Sequence, residues 1–230
     1  MRALQITILT EDSGKQGAPV IEALVKAILQ RLAPGLDSRR LVAHRPAGLV
    51  AQAMRGHRWK STRGTPDLRR ELLRDLGRRL RQGDWVVLHH DGDCAWCGGG
   101  APSHDDQVAA LRAELERALG ADAPACLPRL LLLRPFYSVE AWLYLNRDQV
   151  DALVRAGEAP AAAQAWLDGA LREGALDHVE KPKDACPLGD AHNATLTTQL
   201  KRAPLERSPS FRATQGAWAA APTLADALKG

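Results

Sequence analysis

Apolar and polar positions follow two rhythms along this chain. Residues 3 to 10, Ala-Leu-Gln-Ile-Thr-Ile-Leu-Thr, are short and β-rich and predict a first strand. A polar, glycine-containing loop follows, Glu11-Asp12-Ser13-Gly14-Lys15-Gln16-Gly17. Val20, Ile21, Leu24, Val25, Ile28 and Leu32 then recur at helical spacing, and Pro34-Gly35 ends that helix. Residues 40 to 44 read as a second strand, and Leu49 to Met54 as a short helix within a loop region. Thr65-Pro66-Asp67 opens a helix with the apolar stripe Leu68, Leu72, Leu73, Leu76 and Leu80, its arginines falling largely opposite. Residues 85 to 90 read as the third strand and 128 to 134 as the fourth. Between them Ser103 reads as the cap of a helix marked by Val108, Leu111, Leu115 and Leu119. Ser138 reads as the start of a helix carrying Val139, Trp142 and Leu143.

Residues 1 to 146 therefore alternate β-α-β-α-β-α-β-α, the pattern of an α/β domain with a parallel, Rossmann-like sheet flanked by helices. Residues 147 to 230 read as a basic extension, packing on the same domain, helical to about 172 and irregular after that. Composition agrees with a globular protein, at 45% hydrophobic and 25% charged residues. The longest apolar run, Leu130 to Leu133, is far short of the roughly 20 residues of a membrane span. The first residues read as strand rather than signal peptide, and the four cysteines are unevenly spaced. A cytoplasmic protein is the expectation.

The acids change the picture. Ligands of open parallel sheets bind outside the carboxyl ends of the strands. Glu11 follows the first strand, Asp91 and Asp93 follow the third, and Glu140 follows the fourth. Carboxylates gathered at one edge repel unless a cation lies between them. Oxygen ligands without an evident histidine or thiolate set favour Mg²⁺ or Mn²⁺, held by few carboxylates plus substrate phosphate.

Net charge is +4, and the basic residues are clustered. One group, including Arg69 and Arg70, runs from Arg55 to Arg81, and another includes Lys181, Lys183, Lys201 and Arg202. These, with Lys15 in the first loop, are the candidate contacts to a nucleic-acid backbone. A solvated helix face explains the first cluster equally well. Cys94 and Cys97 offer half a zinc site that Cys186 and His192 would complete, or two ordinary thiols. The pattern GxxxxGK[ST] is absent, which argues against nucleotide hydrolysis by this chain.

Three segments, ILTEDSG, LHHDGDC and FYSVEAWL, together resemble the Toprim domain of topoisomerases, primases and OLD-type nucleases. That family places a glutamate after its first strand and a DxD motif after its third; its OLD-type members add a later motif with Ser and Glu. FYSVEAWL is also similar to stand-alone Toprim-like proteins encoded beside ATPases of anti-phage systems. The resemblance covers roughly residues 3 to 146. It implies Mg²⁺-dependent phosphodiester chemistry, with Glu11 as general base or metal ligand, Asp91 and Asp93 on the metal, and Glu140 on a second ion. It also implies an ATPase partner, and an assisting lysine for which Lys181, Lys183 and Lys201 are the candidates. Asp12 stands where many Toprim domains have glycine, and the 80 residues from Glu11 to Asp91 exceed the compact family core. No topoisomerase tyrosine context or primase zinc module is evident, so a nuclease is the expected activity. A non-catalytic binding module and a small-molecule phosphohydrolase are the alternatives. DNA or RNA as substrate stays open, as does a homo-oligomer.

Overall fold

Two strands, β1 (Leu4–Thr10) and β3 (Trp85–His89), lie side by side at the centre of a four-stranded, all-parallel sheet of order β2-β1-β3-β4. The edges are β2 (Leu41–His44) and β4 (Leu130–Leu133). The computed structural model describes residues 4–11, 17–37, 39, 41–60, 66–92, 104–173, 176–178 and 186–229. Among them the molecule is an α/β protein with helices on both faces of the sheet. No helix among these residues is long and apolar enough to cross a membrane.

The register explains both cores. β1 pairs with β3 from Ile6↔Trp85 to Thr10↔His89. Strand side chains alternate in direction. Ile6, Ile8, Val87, Leu131 and Leu133 thus join one core, and Leu9, Val86, Leu88 and Leu130 join the other. The first is covered by α1 (Gly17–Leu32), through Ile21, Leu24, Val25 and Ile28. The second is covered by α2 (Gly48–Met54), α3 (Pro66–Gln82) and α4 (His104–Leu119). Every residue of β3 is buried, as expected for a strand covered on both faces.

The chain leaves β1 for β2 on one side, then crosses back to β3 on the other. Strand order thus reverses between β1 and β3. That reversal sends α1 and α4 to opposite faces and leaves a crevice outside the strand ends, where open α/β sheets bind ligands.

Beyond α5 (Ala123–Cys126) and β4, α6 is a single turn, Glu140–Leu143. The expected helix start at Ser138 is corrected here. Val139 occupies the cap position without a side-chain cap bond, and Ser138 is fully buried. The preceding backbone is engaged with the end of β3, where Gly92 N–H donates to the Tyr137 carbonyl at 3.0 Å. The turn into α6 therefore comes after Ser138.

The tail is helical up to Arg172, as α7 (Arg147–Arg155) and α8 (Ala162–Arg172), and the part that reads as irregular also contains short helices, α9 (Asn193–Leu196), α10 (Pro209–Ala219) and α11 (Leu224–Lys229), joined by 3-10 turns. Their apolar side chains share the core under α1. Ser208 caps α10 by accepting from Phe211 N–H at 3.0 Å, with Pro209 at the first helical position. Trp218 Nε1 donates to the Leu132 carbonyl at 2.7 Å, covering part of the sheet's β4 edge.

Candidate functional site

The crevice between β1 and β3 is framed by Glu11 on one side and the run His89-His90-Asp91-Gly92 on the other. Thr10 Oγ1 and His89 Nδ1 are hydrogen bonded at 2.9 Å across the paired strand ends. His89 Nε2 lies 3.3 Å from Asp91 Oδ1, an ion-pair distance when the ring is protonated. His89 and His90 are both fully buried. Asp91 is itself only 6% exposed. A carboxylate held this far from water is costly unless its charge has a use or a partner.

Gly92 explains the glycine of Asp-Gly-Asp. A Cβ there would lie 1.9 Å from the Phe136 carbonyl oxygen and 2.8 Å from that of Pro135. Only glycine lets the backbone after β3 pass so close to the segment leading into α6. Asp91 thereby adjoins a stretch of backbone clamped from behind. Asp93 itself lies outside the described residues, as do Lys15, Lys181, Lys183, Cys94 and Cys97.

Glu11 is held from an unexpected direction. Trp59, fully buried in a 3-10 turn at Arg55–Lys60, donates from Nε1 to Glu11 Oε1 at 3.0 Å. Its ring also meets His90 edge-on, at a centroid distance of 6.4 Å. The Trp59 carbonyl accepts from Arg69 Nη1 at 2.6 Å. The rest of the Arg69 fork is bidentate to Glu114 on α4, both bonds at 2.9 Å. Arg69 is 5% exposed, so its expected contact with a nucleic-acid backbone is corrected: it is a buried strut between α3, α4 and the Trp59 turn. Trp59 and Glu114 escape sequence reading because their use depends on a contact between distant segments. The one sequence clue is a lone tryptophan in an otherwise polar, basic stretch.

Hydrogen bonding and charge from Arg69 outweigh burial and hold the Glu114 carboxyl below its usual range. A lowered folded-state pKa contributes stability above the unfolded value of about 4.3, lost as pH falls through the folded value. Glu114→Gln is therefore expected to cost roughly 1–3 kcal/mol at pH 7. The gap to wild type should shrink below about pH 4, which urea unfolding at pH 7 and pH 3 would measure.

Glu140 is 4% exposed at the head of α6. A one-turn helix has little dipole for a carboxylate to complement. Asn193 Nδ2 donates to Glu140 Oε1 at 3.0 Å, while Glu140 Oε2, Asn193 Oδ1 and Ser138 Oγ are buried without a partner among the described residues. Such atoms mark places where a water, ion or ligand supplies the missing bonds. Burial pushes the neighbouring Tyr144 hydroxyl well up and the Cys186 thiol up, with the Glu140 charge adding to both.

Among the described residues, the basic candidates Arg70, Lys201 and Arg202 are engaged elsewhere on the surface. Arg70 is exposed and pairs with Asp67 at 3.1 Å. Lys201 and Arg202 are exposed in a 3-10 turn beside Arg31, whose guanidinium bonds the Leu200 and Ala203 carbonyls. Arg31 lies in the last turn of α1, the end far from the crevice. His192 is corrected as a zinc ligand. Its Nδ1 accepts from Gly189 N–H at 2.9 Å, which leaves Nε2 as the donor to the Glu158 carbonyl at 3.0 Å.

Among the described residues no group of three or more His, Cys, Asp and Glu stands together as a metal ligand set, so Glu11, Asp91 and Glu140 do not form one by themselves. Buried Asp91 and partly buried Glu11, at adjacent strand ends, still fit Mg²⁺, which takes few protein ligands and completes its shell with water and phosphate. No family model, curated protein or solved structure matches the chain.

Proposed function

We propose that the chain is a Mg²⁺- or Mn²⁺-dependent nuclease with a Toprim-like site in the β1/β3 crevice. One observation carries the reading: buried Asp91 and the Trp59-bonded Glu11 end adjacent central strands at the point where strand order reverses. Glu11, Asp91 and Asp93 would hold the ion, which when bound polarises a phosphoryl oxygen and activates a water. The chain's own part is to orient. Trp59 fixes one oxygen of Glu11, His89 stands against Asp91, and Gly92 keeps the turn pressed on the Phe136 backbone. Glu140, with an oxygen that has no partner among the described residues and its other oxygen bonded by Asn193, is the candidate for a second cation.

A second reading, hydrolysis of small phosphoesters, is favoured by the state of α3. Arg70, Arg74, Arg78 and Arg79 pair with Asp67, Glu71 or Asp75 within the helix. Such a face offers a polymer less net charge than its arginine content suggests. The test is incubation with supercoiled plasmid, tRNA and bis(p-nitrophenyl) phosphate, with Mg²⁺, Mn²⁺ or a chelator. Metal-dependent cleavage of a polymer supports the nuclease. Cleavage of the small diester alone selects the second reading, and no turnover of any of the three sinks both.

A further inference from the structure

Four hydrogen bonds, the first two side by side, link α4 to the crevice in three steps. Glu114 accepts two from Arg69, Arg69 donates one to the Trp59 carbonyl, and Trp59 donates one to Glu11. Their lengths are 2.9, 2.9, 2.6 and 3.0 Å. The links differ in stiffness. A guanidinium is planar, and its fork fixes the direction of its remaining N–H groups once two are bound to a carboxylate. Arg69 and Trp59 are both buried, so neither has room to move to another rotamer. A 3-10 turn such as Arg55–Lys60 has poorer internal hydrogen bonding than a helix, so an outside anchor on the Trp59 carbonyl matters to where the indole sits.

We infer that Arg69 and Glu114 are positioning residues for Glu11, acting through Trp59. This rests on the reading of Glu11 as a metal-site carboxylate. The pair touches neither ion nor substrate. It sets the height and tilt of the indole, and the indole N–H sets the rotation of the Glu11 carboxylate. A largely buried salt bridge between α3 and α4 is thereby coupled to the geometry of the crevice. Partners that orient metal-site groups from behind are commonly worth 10- to 100-fold in metal affinity or activity.

The test uses the full chain with ¹⁵N-labelled tryptophan. The six tryptophans supply the indole N–H signals, and the Trp59 signal is identified by its loss in Trp59→Phe. Arg69→Lys keeps the charge but loses the fork, and Glu114→Gln keeps one acceptor. Both are expected to shift the Trp59 signal as Glu11→Gln does, leaving the other indoles in place. Should Arg69→Lys disturb all the indoles through unfolding, the half-exposed position makes Glu114→Gln the deciding variant. Mn²⁺ affinity, read by the paramagnetic resonance of free ion, is expected to fall about tenfold in Arg69→Lys and Trp59→Phe. A Trp59 signal that stays in place in both Arg69→Lys and Glu114→Gln overturns the proposal. So does a shifted signal with unchanged Mn²⁺ affinity, which makes the chain of bonds merely structural. Failure of the metal reading shows separately: Mn²⁺ then leaves the wild-type Trp59 signal unbroadened, while the indole shifts still decide whether the relay exists.

Discussion

Gly92→Ala is expected to be among the most damaging single-methyl changes in the described chain. The added Cβ would sit 1.9 Å from one carbonyl oxygen, 2.7 Å from its carbon and 2.8 Å from a second oxygen. All three are backbone atoms, so no side chain is free to swing away. The backbones must separate, which also stretches the bond from Gly92 N–H to the Tyr137 carbonyl. Overpacking of this kind costs about 3 kcal/mol at the upper end of the usual range, or more. For a chain of this size that lowers Tm by about 6–12 °C, measurable by thermal unfolding followed by near-ultraviolet circular dichroism. Gly169 in α8 is the control, because a Cβ there meets nothing within 4 Å. Gly169→Ala should raise stability by up to about 1 kcal/mol through helix propensity alone. An equal, small effect at both positions would mean that the approach of the two loops is loose and the aspartate turn is not clamped.

The four strands were legible because each is a compact apolar run bounded by polar or glycine-rich turns. Their parallel arrangement followed from the helices between them. The acidic edge was legible for the same reason: strand ends are visible in sequence, and Glu11 and Asp91 are read off them directly. What escaped depends on contacts between distant segments. Arg69 looks like its exposed neighbours Arg70 and Arg74 on the helical repeat. Only the packing of α3 against α4 buries it and turns its fork towards Glu114. Trp59 fell in a stretch whose local signals are turn-like, and nothing local says that its indole reaches a residue 48 positions earlier. Glu140 and Asn193 meet across 53 positions, in a tail whose one-turn helices are too short to leave a period in the sequence.

Asp91→Asn is expected to separate function from stability. If the crevice holds the catalytic ion, removing one anionic ligand should cut metal-dependent cleavage on the order of 10³-fold, the equivalent of about 4 kcal/mol in the barrier. Asparagine has the same shape, so packing against His89 and the start of the Gly92 turn is kept. Stability should then hold or rise, because the carboxylate at 6% exposure carries a desolvation cost that the amide avoids. Loss of activity with unchanged or higher Tm is the mark of a residue retained for chemistry rather than for folding. A structural role gives the opposite pairing. If Asp91 served only to hold His89 and the end of β3, then Asp91→Asn would lower Tm, and any cleavage would survive in proportion to the folded fraction. Measuring Tm and the Mn²⁺-dependent rate on the same preparation distinguishes the two, since no single role of the carboxylate produces both patterns.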